Sequence, residues 1–246
     1  MRRQLLKCSI GFAAYLTSLT ISACFAFPPA LASIASASQQ SPTAQRRPAA
    51  PAGQSLGRKT SKPYTGDLSI FEYEGRDKKL QIDRVMDILK ITPGKTVADI
   101  GAGSGWFSVR AARRVTQTGV VYAVDINPEA INYIQQRVKR EGVSNIKLIL
   151  GKPGDPLLPA GSIDAALLLK TYHEVAEPVA LLKNLRKSLR PGARVGIIDR
   201  NGTAENHGLN QDIVIREARQ AGYTLLEKYD FVKPDGEDYF LVFAPS

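Results

Sequence analysis

From residue 77 onward, apolar and polar positions along the chain fall into two alternating rhythms. One is helical. In "DKKLQIDRVMDILKI" Leu80, Val85, Ile88 and Leu89 share one face of a helix, and the following "TPG" ends it. The other is a short, nearly continuous apolar run, first met in "TVADI". The two then alternate. "WFSVRAARRV" is a helix with Phe107, Ala111 and Val115 inward, "GVVYAVDI" a strand, and "PEAINYIQQRVKREG" a helix whose first turn suits Pro128. "NIKLILG", "IDAALLLK" and "ARVGIIDR" are three further strands. Between the last two lies "EPVALLKNLRKSLRPG", a helix with a basic last turn and a Pro-Gly stop. "NQDIVIREARQAG" is the last helix, and "YTLLEKYDF" with "DYFLVF" forms an antiparallel C-terminal hairpin. This alternation of helices with apolar strands predicts an α/β fold: a doubly wound, mostly parallel, seven-stranded sheet covered on both faces. Ligands then belong at the carboxyl ends of the strands.

The first 66 residues follow neither rhythm. Arg2, Arg3 and Lys7 precede a stretch without charge that lasts until Arg46. Within it "CSIGFAAYLTSLTISACFAF" is mildly apolar, and Ala30-Leu31-Ala32 offers a small-x-small cleavage site, so residues 1–32 read as a signal peptide. The opening "RRQLLK" resembles a twin-arginine export motif. "ISAC" allows a second reading, with Cys24 lipidated, and the uncharged length allows a third, an uncleaved membrane anchor. Residues 33–66, rich in Pro, Ala, Ser and Gly, read as a disordered basic linker, which leaves 67–246 as the folded domain. The expected location is outside the cytosol, in the periplasm.

Composition changes that picture in two respects. Both cysteines, Cys8 and Cys24, lie in the leader, so disulfides, a thiolate zinc site and a cysteine nucleophile are excluded from the domain. No other metal-ligand set is read from the chain. The formal charge of +10 points to a nucleic-acid partner until it is divided along the sequence. Residues 1–66 hold eight Lys and Arg and no acid, leaving 25 basic against 23 acidic side chains in 67–246. The basicity therefore belongs to the leader and linker. No nucleic-acid partner is expected, membrane contact is confined to the N-terminal segment, and oligomeric state is left open.

The stretch that carries chemistry is "VADIGAGSGWF", residues 97–107. A triphosphate loop requires a Lys-Ser/Thr pair after its glycines, and here Trp106 and Phe107 stand there. A dinucleotide loop has G-x-G-x-x-G, whereas Gly101, Gly103 and Gly105 are evenly spaced. Asp99 before the loop repels a pyrophosphate and attracts a cation. The combination resembles motif I, D-x-G-x-G-x-G, of the class I S-adenosylmethionine-dependent methyltransferases, over essentially all of residues 77–246. The wording of "VADIGAGSGWFSV", "VYAVDINPEA" and "TYHEV" resembles a group of exported bacterial methyltransferase-like proteins of types 11 and 25. "LRPGARVGII" is similar to the family's helix–PGG–strand entry, with Ala193 in place of a second glycine.

The resemblance implies a Rossmann-like fold and S-adenosylmethionine as cofactor. Its amino-acid end lies against Gly101, Gly103 and Gly105, with Asp99 near the ammonium. Asp125, ending the next strand 20 residues after Gly105, accepts the ribose hydroxyls, and Ile126 packs on adenine. Capping the helix that opens at Pro128 is the competing role for Asp125. "GKPGDPLLPAGSIDAALLL" resembles the family's adenine-pocket passage and implies an adenine contact for Asp155, although Asp155 lies closer to Leu158-Pro159 than the pattern has it. Lys170 faces the cofactor through its carbonyl.

Methyl transfer is an in-line displacement, in which alignment does most of the work and a base is needed only if the acceptor must lose a proton. The family places such groups at "KTYHEV", where His173 is the candidate base, Tyr172 a hydrogen-bonding or stacking group, and Glu174 the group orienting the imidazole. The bland reading is a loop histidine bonded to backbone. His207 is a second candidate. No D/N-P-P-Y/F box occurs there, which argues against amino groups of nucleic acids as acceptors. "YTGDLSIFEYEGRD" is a candidate lid, with Phe71 and Tyr73 over the pocket and Arg76 for an acidic substrate group. The chain is thus expected to be a methyltransferase on a small acceptor. The alternative is an exported binding module that keeps the fold without turnover.

Overall fold

The computed structural model describes residues 59–203, 207–233 and 235–246. The leader and the linker as far as residue 58 lie outside the described residues. Among the described residues, seven strands form one sheet: β1 (Thr96–Ile100), β2 (Val120–Asp125), β3 (Ile146–Leu150), β4 (Ile163–Leu169), β5 (Leu189–Arg200), β6 (Tyr223–Tyr229) and β7 (Asp238–Pro245). Their order is β3-β2-β1-β4-β5-β7-β6. Strands β1 to β5 pair in parallel, while β7 runs antiparallel to both β5 and β6. The C-terminal hairpin therefore inserts its second strand next to β5 rather than adding both outside it.

Apolar runs read from sequence become strands because both faces are covered. In β4, Leu167 packs on one side with Val97, Phe107 and Val242, and Leu168 on the other with Leu182, Ile197 and Leu241. The first face carries α1 (Arg76–Leu80), α2 (Ile82–Ile88) and α3 (Trp106–Val115); the second carries α5 (Pro178–Ser188) and α6 (Gln211–Gln220). Helix α4 (Pro128–Glu141) lies beside β2 and β3, with Ile134 against Ala123. Full burial of a chain of Val, Leu and Ile is worth about 1.5–3 kcal/mol each, and it is this contribution that fixes the strand register.

Two expectations need correction. "DKKLQIDRVMDILKI" is not one helix. It breaks at Gln81, which takes a φ of 46°, between α1 and α2. Leu80 and Ile82 are both buried, and residues two apart cannot share a helix face, so the chain kinks to bury both. Gln81 Nε2 donates to the Phe231 carbonyl at 3.0 Å across the break. Ile88 is consequently only partly buried. The second correction concerns the linker. Ser61 is buried, and its amide donates to the His173 carbonyl at 3.2 Å, so packing begins before residue 67.

Candidate functional site

The sheet order reverses between β1 and β4, where a crevice opens at the carboxyl ends of parallel strands. A cavity of 390 Å³ lies there. Its floor is the end of β1 (Asp99, Ile100), the glycine loop, the end of β2 (Val124, Asp125) and the end of β4 (Leu169). Thr60, Pro63 and Tyr64 from the former linker and Leu68 and Phe71 from a 3₁₀ turn line it from the N-terminal side. Tyr133 donates to Glu72 at 2.8 Å and Arg137 pairs with Glu72 at 2.5 Å, so this turn is tied to α4.

The glycine loop is built by its own backbone. The amides of Gly101 and Ala102 donate to the Val124 carbonyl at 2.8 and 3.0 Å, and Gly105 is the N-cap of α3. Two glycines matter for different reasons. At Gly101 (φ 71°) a Cβ would meet Thr171 Oγ1 at 2.3 Å; at Gly103 (φ 53°) it would meet nothing within 4 Å. The first glycine is a packing requirement, the second keeps space free beside the loop.

Asp125 is half-buried on the cavity wall. One carboxylate oxygen accepts from the Gly103 amide at 2.8 Å, the other from the Asn127 amide at 2.9 Å. It does not cap α4: Asn127 is the N-cap and accepts from the Glu129 amide at 2.9 Å. Ile126 lines the cavity and is 47% exposed, an apolar residue open to that space. Asp99 is buried and receives the Ser108 hydroxyl at 2.6 Å. Burial pushes its carboxyl up to about 7, with the Asp125 charge adding to the rise and the Ser108 hydrogen bond opposing it. Arg76, also buried, stacks its guanidinium 4.4 Å from the Trp106 ring centre, donates to the Phe71 carbonyl and faces the cavity. Burial lowers its affinity for its proton.

Of three further predicted residues, Lys170 lines the cavity, while Asp155 and His173 do not. Asp155 is not among the cavity-lining residues; its carboxylate accepts from the Leu157 amide at 2.9 Å and holds its own turn. Its neighbours Lys152, Pro153 and Pro156 are the residues of this turn that line the wall. Lys170 lines the cavity in a left-handed conformation (φ 57°), while its ammonium is paired with the buried Asp238. His173 is buried and also absent from the lining. Its Nδ1 lies 2.8 and 3.0 Å from the two oxygens of Asp199, and its amide donates to Asp199 at 3.0 Å. Glu174 lines the cavity in its place. Burial raises its carboxyl, opposed by the His173 charge and an amide hydrogen bond from Tyr64. The sequence reading had Glu174 orient the imidazole; in the structure Asp199 does so.

Asp199 was missed altogether. A signal for it exists, because "GIIDR" ends an apolar strand with an acid just as "VYAVDI" does. Tyr64 opens the stretch read as a candidate lid, whereas Thr60 and Pro63 carry no such signal in a stretch of linker composition.

A family model described as a methyltransferase domain matches residues 91–225. The arsenite methyltransferase of Halobacterium salinarum is 29% identical over 136 residues, covering 55% of this chain and 35% of that protein. The protein-L-isoaspartate O-methyltransferase of Pyrococcus horikoshii is 28% identical over 111 residues, 45% of this chain and 47% of that protein. The chain thus spans about half or less of the length of these curated relatives. Among solved structures, a SAM-dependent methyltransferase from Aquifex aeolicus superposes with a TM-score of 0.65 at 22% identity, covering 73% of this chain and 98% of that one. The cyclase SpnF, at 14% identity, matches with a TM-score of 0.57 over 67% of this chain and 79% of its own.

Proposed function

This chain belongs to the methyltransferase domain family, and from that premise we propose that it transfers a methyl group to a small acceptor. The cofactor implied by the domain and fold is S-adenosylmethionine. The residues present fit it. The space beside Gly103 is one a side chain would fill, and Ser104, whose hydroxyl has no hydrogen-bond partner among the described residues, lines the same wall. Asp125 and Ile126 would hold adenosine, Asp99 the ammonium and Arg76 the carboxylate of the amino-acid end. When bound, the cofactor supplies an electrophilic methyl group on a sulfonium centre.

The protein's own contribution is alignment and exclusion of water. Leu68, Phe71 and Val175 give the cavity an apolar wall for the acceptor, and Glu174 gives it one ionisable group that accepts a hydrogen bond. His173, backed by Asp199, acts behind Glu174 as a positioning residue. The relative named for arsenite supports a small acceptor, whereas the one named for protein L-isoaspartate favours a protein one. The observation that carries the reading is the open space at Gly103 beside Asp125. Calorimetry with S-adenosylmethionine tests it: the expected outcome is measurable binding that falls at least roughly tenfold in Asp125→Ala. Undiminished binding in that variant overturns the assignment of Asp125.

A second reading, a binding module without turnover, draws support from the position of His173 off the cavity wall. It predicts no methyl transfer to any acceptor by a protein that is folded. For location, we propose export on the strength of Arg2-Arg3 and the uncharged run that follows. Mass spectrometry of the protein from cell fractions tests this: an N-terminus at Ser33 is expected, and an intact Met1 in the cytosolic fraction speaks against export.

A further inference from the structure

We propose that His173, Glu174 and His207 form a binding site for a divalent transition-metal ion of the zinc class at the edge of the cavity. The two histidines are 34 positions apart, one after β4 and one after β5, so no ligand spacing announces them. The fold brings one donor atom from each of the three residues within 4.8 Å of the others. His173 Nε2 is 3.7 Å from Glu174 Oε1, and His207 Nδ1 is 4.0 Å from the same oxygen. Around a tetrahedral zinc with bonds of about 2.0–2.1 Å, ligand atoms stand about 3.3–3.4 Å apart. The two Glu174 separations exceed this by about 0.3 and 0.6 Å, and the separation of the two histidine nitrogens is within 4.8 Å, so closing the site takes side-chain shifts of at most about 1.5 Å.

The groups behind the donors fit the same reading. A carboxylate only accepts, so the Nδ1–H of His173 donates to Asp199, which leaves Nε2, on the Glu174 side, as the nitrogen available to ligate a metal. Asp199 is itself fixed by the amides of His173 and Arg200, at 3.0 and 2.9 Å. A histidine whose far nitrogen is held by a buried carboxylate is the arrangement that orients metal-bound imidazoles and raises their basicity. Two imidazoles and one carboxylate suit zinc, iron(II), cobalt or nickel rather than calcium or magnesium. Three protein ligands also leave coordination positions open, and Glu174 lines the cavity, so the ion would border the space proposed for the acceptor. Its chemistry there is that of a Lewis acid on an acceptor oxygen or thiol.

Metal binding is independent of methyl transfer, so the two proposals fail separately. The test uses the full chain, stripped with a chelator and dialysed against zinc chloride, with metal measured by elemental analysis. Cobalt(II) serves as a spectroscopic probe of nitrogen and oxygen ligands. The expected result is one equivalent of zinc that is lost in both His207→Ala and Glu174→Gln, affinity falling at least roughly tenfold. The visible ligand-field bands of cobalt are expected to disappear with it. His207 has 66% of its side chain exposed, and unchanged thermal unfolding of the stripped His207→Ala protein verifies its fold. No uptake by the wild-type chain, or unchanged uptake in either variant, overturns the proposal.

Discussion

Asp99 carries an unusual charge state for a carboxyl, and two consequences are measurable. In the folded chain it keeps its proton up to about pH 7, whereas an unfolded aspartate loses it near 3.9. The folded state thus binds more protons between these values, and its stability falls as pH rises through that window. Asp99→Asn removes the titration. The variant is expected to gain on the wild type by a few kcal/mol between pH 4 and pH 7 in urea unfolding; a gap that stays constant with pH disproves the account. The two glycines separate stability from binding in a similar way. Gly101→Ala forces a contact with Thr171 and is expected to cost about 2–3 kcal/mol in chemical denaturation. Gly103→Ala costs only the left-handed backbone, about 1–2 kcal/mol, yet is expected to weaken cofactor binding more than Gly101→Ala does.

At the scale of elements, helix termini and strands were legible where local chemistry decides them. Pro128 opens α4 as its fixed φ suggests, and Asn127 caps it. Asn127→Ala is expected to cost about 1 kcal/mol, read from the urea midpoint, without displacing Asp125, which binds the Asn127 backbone and not its side chain. Two things were not legible. The break at Gln81 depends on burying Leu80 and Ile82 together, and helical periodicity sees only one face. The pairing of His173 with Asp199 depends on β4 and β5 being neighbours, which sequence spacing does not encode. The glycine-loop end of the cavity was readable because one strand–loop–strand unit carries Asp99, the glycines and Asp125. The opposite wall was legible only in part, through Phe71 and Glu174, because the rest of it comes from the end of β4 and from an N-terminal stretch of linker composition.

At the scale of the whole molecule, residues 59–66 are the part whose composition misleads most. They look like spacer, yet Ser61 bonds the His173 carbonyl, the Tyr64 amide bonds Glu174, and Tyr64 packs edge-on against Phe71 with ring centres 5.2 Å apart. Residues 59–66 belong to no strand or helix and supply part of one wall of the cavity, so removing residues 1–66 is expected to open that wall and keep the strands and helices. The truncated chain is expected to keep its far-ultraviolet circular dichroism while its affinity for S-adenosylmethionine drops. Equal affinity in both chains shows that the segment plays no part in binding.

That same strap has a consequence in time. Thr60, Pro63 and Tyr64 line the cavity, and the segment is tied down by the Ser61 and Tyr64 hydrogen bonds, so it is expected to lengthen the residence time of a ligand held there. Under the proposed export, a chain that travelled with its cofactor would be limited by dwell against transit. Stopped-flow displacement is expected to show slow release from the full chain and fast release from the truncated one.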